Sequence, residues 1–137
     1  MREIKFRGKC VDEEGLAIGD LVQCGDDHPS IYRHLDTMED DEIQEREYEG
    51  GMESRVYAES LGQFTGLKDK NGVEIYEGDI VKTVEHGIRQ VVFYKGCFCT
   101  TRQTEEPYGY KCLWTTTPLC EVIGNIHENH ELLEGGK

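Results

Sequence analysis

The sequence predicts a mainly β protein: an amino-terminal β segment with an acidic insertion, packed with an SH3-like barrel in the carboxy-terminal half, and at most a short helix in the insertion. Three observations carry this. Glu3-Ile4-Lys5-Phe6-Arg7 alternates charged and apolar residues at strand spacing. From Ile80 onward, β-branched and aromatic runs are separated by turn signals. Glu77-Gly78-Asp79 stands before Ile80-Val81 as a Gly-Asp corner stands before a core strand in SH3-like barrels, an analogy of shape that implies no shared function. At 137 residues the chain is about one domain long. It divides into an amino-terminal segment 1–58 with the insertion at about 35–53, a barrel 59–133, and a tail 134–137.

In order, Ile4 and Phe6 are expected to share one face of a first strand, Glu3 to Arg7. Asp12-Glu13-Glu14-Gly15 is a turn signal, and Leu16 to Gln23 is the returning strand, bent at Gly19. Gly25 to Pro29 loops into a short strand at Ile31-Tyr32-Arg33. Between Asp36 and Glu53 nine acids face the single basic Arg46. Leu35, Met38 and Glu42 fall on one side at helical spacing, so a short helix capped by Asp36 or Thr37 and a loop are both open readings. Arg55 to Ala58 reads as a strand, with Leu61 and Phe64 in the core.

Asn71-Gly72 is the strongest hairpin signal, fitted to a type I′ turn because both residues tolerate positive φ. Beyond the corner at Gly78, Ile80 to Val84, Ile88 to Tyr94 and Cys97 to Thr101 form a meander turned at Glu85-His86-Gly87 and kinked at Gly96. Arg102 to Gly109 is a polar loop, Tyr110 to Thr115 a strand ended by Pro118, and Cys120 to Ile126 the last strand.

Charge narrows the function. The net charge of −13 opposes non-specific attraction to phosphate backbones, so nucleic acid is a disfavoured partner. No apolar run approaches the about 20 residues of a membrane span, and the amino terminus lacks a signal-peptide core, so a cytoplasmic protein is expected. In a reducing compartment, Cys10, Cys24, Cys97, Cys99, Cys112 and Cys120 are expected as buried free thiols rather than disulfides. Cys97 and Cys99 share a strand face that Cys112 and Cys120 could approach, but without Cys-x-x-Cys knuckles no metal and no cofactor is expected.

Gly62-Gln63-Phe64-Thr65-Gly66-Leu67-Lys68-Asp69-Lys70-Asn71-Gly72-Val73-Glu74-Ile75-Tyr76-Glu77-Gly78-Asp79-Ile80-Val81 resembles the signature of the YopX family, small proteins encoded mainly by bacteriophages and prophages. The residues that carry the likeness are Gln63, Phe64, Thr65, Gly66, Leu67, Asp69, Asn71, Gly72, Ile75, Glu77, Gly78 and Asp79. Ile4 to Lys9, Gly19-Asp20-Leu21-Val22 and the closing Ile123-Gly124-Asn125-Ile126 extend it, with Ile18 in place of a common aromatic and His130 in place of a usual proline. The likeness covers most of residues 1–24 and 56–133 and is weakest in the acidic middle. It implies a phage or prophage accessory protein; the family's members being largely uncharacterised, it implies no particular reaction.

The residues offer three places for function. Glu39, Asp40, Asp41, Glu42 and Glu45 make a negative surface that could imitate nucleic acid before a basic host protein, or a solvated insertion that keeps the chain soluble. Tyr108, Tyr110 and Trp114, with Phe93, Tyr94 and Phe98, could form a stacking surface, with Arg89, Lys95, Arg102 and Lys111 as its basic face. Glu74, Glu77 and Asp79 could work as acid and base or bind Mg²⁺, against the plainer reading that turns use such residues to hold backbone amides. His127 and His130 are two further metal-ligand types, without a third nearby. No Walker loop, dinucleotide fingerprint or Gly-x-Ser-x-Gly elbow occurs, and no catalytic residue is assigned. The expectation is a non-enzymatic module that binds a host or phage macromolecule, most readily a protein. The alternatives are an acidic mimic and an enzyme using the carboxylate cluster. Edge strands at each end favour a homo-oligomer.

Overall fold

The structure, a computed structural model, describes residues 3–23, 28–34, 38–43, 52–102, 109–115 and 119–135. It is mainly β, as its alternating sequence requires, and resolves into two compact units, Met1–Gln63 and Phe64–Lys137.

In the first unit, β1 (Phe6–Lys9), β2 (Leu16–Val22), β3 (Ser30–Arg33) and β4 (Glu53–Arg55) pair antiparallel in the order β4-β3-β2-β1. Gly62 and Gln63, which open β5 (Gly62–Lys68), pair with Arg7 and Phe6 on the far edge of β1. The β1–β2 hairpin turns at Gly15, whose φ of +96 suits the absence of a side chain. Cys10, Ala17, Ile31 and Val56 form the core, with Phe6 and Leu61 packed against it. Two glycines make the sheet this tight. A Cβ on Gly8 would lie 2.9 Å from the Val56 side chain, and one on Gly19 would run into the Tyr32 carbonyl.

Two expectations shift here. The first strand begins at Phe6, because Ile4 is exposed while Lys5 is buried and paired with Glu3 at 3.2 Å, so Ile4 and Phe6 do not share an inward face. The strand expected at Arg55 to Ala58 gives way after Val56 to a 3-10 turn, Ala58–Ser60. The Val56 amide is drawn to the Pro29 carbonyl, and Ser60 Oγ accepts from the Lys9 amide and donates to the Tyr57 carbonyl. Within the acidic stretch residues 40–43 are helical, the Ile43 amide bonding the Glu39 carbonyl. Asp36, Thr37 and most of the run after Ile43 lie outside the described residues.

In the second unit, β6 (Glu74–Tyr76) returns along β5, with Phe64 opposite Tyr76 and Lys68 opposite Glu74. β7 (Asp79–Thr83), β8 (Gly87–Tyr94) and β9 (Cys97–Thr101) form the expected meander. β10 (Lys111–Cys112) flanks β9, and β11 (Cys120–Asn125) returns beside β7, giving the order β10-β9-β8-β7-β11. Ile75, Val81, Val91, Leu113 and Cys120 fill the core, with Leu67, Phe98 and Val122 against it. A second short helix, Glu131–Gly135, follows; the expectation of at most one, in the insertion, is corrected here, and it forms with His130 standing in place of the usual proline.

No pairing joins β10 to β11 among the described residues, so the sheet is open and the SH3-like closure is not confirmed. The strand expected over Tyr110 to Thr115 shrinks to two residues, with Leu113–Thr115 in a 3-10 turn that buries Leu113. Turn chemistry also moves. Lys95 is the only non-glycine among the described residues with positive φ (50°), so Asn71-Gly72 is not a type I′ turn. The Gly72 amide bonds the Asp69 carbonyl, and Gly72 alone has positive φ, which is a type I turn with a glycine bulge. The type I′ geometry occurs instead at Lys95-Gly96, between the paired Tyr94 and Cys97.

Candidate functional site

The signature stretch places its polar groups on backbone amides. Asp69 is buried after β5; its Oδ1 accepts from the Asn71 and Val73 amides at 2.8 and 2.9 Å, and its Oδ2 from the Val122 amide at 2.8 Å. Burial pushes its carboxyl upward, but the three amides, helped by Lys70, outweigh that and hold it below its usual range. One side chain thus shapes the hairpin and fastens it to the outer edge of β11, where the Lys70 amide also bonds the Cys120 carbonyl. That edge is thereby partly closed to foreign strands.

Asp79 does the same for the corner. It is 1% exposed, and its Oδ2 accepts from the Tyr76 amide at 2.7 Å. Gly78, at φ +95, bonds the Val91 carbonyl through its amide and accepts from the Ile126 amide, and a Cβ there would sit 3.3 Å from His127 Nε2. Thr65 Oγ donates to the Ile75 carbonyl at 2.7 Å, Phe64 packs on the Tyr76 ring, and Gly66 takes φ +85. Gln63 pairs with Phe6, Leu67 and Ile75 belong to the second core, and Asn71 and Gly72 form the exposed turn. At the closing motif, Asn125 Oδ1 accepts from the His127 and Glu128 amides while Asn129 Oδ1 accepts from the Asn125 amide. Gly124 has no room for more: a Cβ would lie 2.7 Å from Asn129 Oδ1.

The carboxylates therefore have separate tasks. Asp79 points to the backbone, Glu74 accepts from the Tyr76 hydroxyl at 3.3 Å, and Glu77 is half-buried. Among the described residues no three histidine, cysteine or acidic side chains are placed to hold a metal, and this includes His127 and His130.

The basic face is overturned at its centre. Arg89 is fully buried, with Nε donating to Thr100 Oγ at 3.0 Å and Nη2 to the carbonyls of Thr100 and Gly109. Its place between Val81 across the ladder and Val91 along the strand marks it as inward-facing, a parity legible in the sequence. Arg102 donates to the His86 carbonyl, which leaves Lys95 exposed and Lys111 half-buried. Of the aromatic residues, Tyr94 and Tyr110 stack on each other, with ring centroids 3.8 Å apart and planes 4° apart. Phe93 is 54% exposed against the edge of Phe98, and Trp114 is 67% exposed in the turn after β10. Tyr108 lies outside the described residues.

In the acidic stretch Glu39, Asp40 and Asp41 are exposed, while Glu42 reaches Arg33 at 3.6 Å; Glu45 lies outside the described residues. Arg33 is a further centre, placed inward by the strand parity that it shares with the buried Ile31. It is buried, and its guanidinium donates to Ser54 Oγ at 3.0 Å, Glu13 Oε1 at 3.0 Å and Cys10 Sγ at 3.4 Å. The expectation of buried thiols holds for Cys10, Cys99 and Cys120 but not for Cys97, which is half-buried, or Cys112, which is exposed; these five are free thiols, and Cys24 lies outside the described residues. Cys97 and Cys112 approach to 4.0 Å between sulfurs. Burial, then the neighbouring Cys97, pushes Cys99 up to about 11, and burial, then the Asp69 charge, pushes Cys120 up to about 11. The hydrogen bond with Cys97 pushes Cys112 up.

Comparison with known proteins gives a family and a fold. A crystal structure of protein EF1440 from Enterococcus faecalis superposes with a TM-score of 0.53 at 24% identity, over 97% of this chain and 99% of that one, a likeness of fold alone. No curated protein matches. No helix among the described residues is long and apolar enough to cross a membrane. The family described as YopX protein matches residues 5–134, nearly the whole chain, and the chain belongs to the YopX family.

Proposed function

We propose that the protein is a non-enzymatic accessory module of a phage or prophage that binds a host or phage protein in the cytoplasm through the aromatic end of its second unit. The observation that carries this reading is the exposure of Phe93, which meets Phe98 only by an edge contact, and of Trp114, two large apolar side chains of the second unit. Trp and Phe at such positions are the anchors that protein interfaces favour. The engagement of Asp69 and Asp79 with backbone amides supports a structural role for the signature. Self-association belongs to the proposal as one way to cover the outer edge of β10.

A second reading rests on Glu39, Asp40 and Asp41, three consecutive exposed acids in a chain of net charge −13, which fit an imitation of nucleic acid before a basic protein. One experiment separates the two. Photo-crosslinking in host lysate compares the native chain, a Phe93→Ser/Trp114→Ser variant and a variant with the three acids neutralised. A crosslink lost only with the aromatics supports the interface; one lost only with the acids moves function to the mimic. A crosslink kept by both variants overturns both readings.

A further inference from the structure

We infer that Cys97 and Cys112 are a thiol–disulfide site, closed by exchange with a low-molecular-weight disulfide, and that closing it ties the edge strand β10 to β9. The placement follows from the ladder. Cys97 and Cys99 are two apart on β9 and so share a face, and Cys112 on β10 is the register partner of Cys99. The three thiols thus stand on one face of one strand pair, with Cys97 Sγ 4.0 Å from Cys112 Sγ. A disulfide needs about 2 Å between sulfurs; Cys97 stands diagonally across the strand pair from Cys112, so closure takes side-chain rotation together with a shift of β10.

Access differs among the three. Cys112 is exposed, Cys97 half-buried and Cys99 buried, which makes Cys112 the sulfur a solvent disulfide meets first. The Cys112 thiolate attacks one sulfur of oxidised glutathione, forming a mixed disulfide and releasing one glutathione thiolate. Cys97, losing its proton to water, attacks Cys112 Sγ and expels the second. Two protein thiols become one disulfide, and one molecule of oxidised glutathione becomes two of reduced glutathione. The hydrogen bond with Cys97 pushes the Cys112 thiol up, which lowers its thiolate fraction and slows the first exchange. β10 has only two residues, an edge short enough to accommodate the closure.

The test is oxidation of the folded chain with oxidised glutathione, thiol blocking, and tryptic mass spectrometry. Cleavage at Lys95, Arg102 and Lys111 puts Cys97 with Cys99 in one peptide and Cys112 with Cys120 in another. The expected product is a crosslink between these peptides with the loss of two free thiols, retained in Cys99→Ser and Cys120→Ser and abolished in Cys97→Ser and Cys112→Ser. Circular dichroism confirms that each serine variant is folded. Absence of the crosslink in the native chain under excess oxidised glutathione, or its persistence in Cys97→Ser, overturns the assignment.

Discussion

Asp69 condenses the structural logic into one residue. Its carboxylate serves three backbone amides from two stretches of chain and is held below its usual range by them. A carboxyl depressed in the folded state contributes stability above its unfolded value, about 4, and that stability is lost as pH falls through the lower folded value. Urea midpoints are therefore expected to hold from pH 7 to 5 and fall below about pH 4. The fall should be shallower in Asp69→Asn, which has no such charge to lose. Glycines give a second residue-scale contrast. Gly19→Ala forces a methyl into the Tyr32 carbonyl and is expected to cost about 3 kcal/mol, whereas Gly15→Ala meets open space and costs about 1 kcal/mol for its positive φ. Chemical denaturation of the two variants side by side reads the difference.

At the scale of elements, buried polar groups set where strands stop. Arg89 binds β9 to Gly109, just before β10, and the chain there turns away after two paired residues. Arg89→Met strands the acceptors on Thr100 and Gly109 and is expected to cost about 3 kcal/mol, with hydrogen exchange rising first in β9 and β10. The β8–β9 turn holds Lys95 at a φ of 50°. Lys95→Asn suits a type I′ turn better and is expected to raise stability by about 0.5 kcal/mol, read as a higher denaturation midpoint.

These elements also show what was legible beforehand. The β7–β8–β9 meander and the β1–β2 hairpin follow from alternation and turn residues, which act locally. The turn at Asn71-Gly72 departs from type I′ because Asp69 imposes a three-residue loop by bonding the amides of Asn71 and of Val73 beyond the pair. The strand expected at Tyr110 to Thr115 failed because burial of Leu113 outweighed β propensity in a short edge. The basic face fails at Arg89 because strand parity, not charge, decides where that side chain lies.

For the whole molecule, Asp69 and Asp79 of the signature hydrogen-bond their own backbone, and the recognition proposed above lies on surfaces outside it. Replacing Glu39, Asp40 and Asp41 with amides removes three negative charges from a chain of net charge −13. Stability is expected to change by no more than about 0.5 kcal/mol, with a weaker dependence on salt, measured by thermal unfolding at low and high ionic strength. The decisive measurement is the unfolding free energy of Asp79→Ala. A loss of about 2 kcal/mol or more is expected if the buried carboxylate holds the Tyr76 amide in place. Stability equal to or above the native chain, the pattern of a carboxylate kept for chemistry at the expense of folding, would contradict the scaffold.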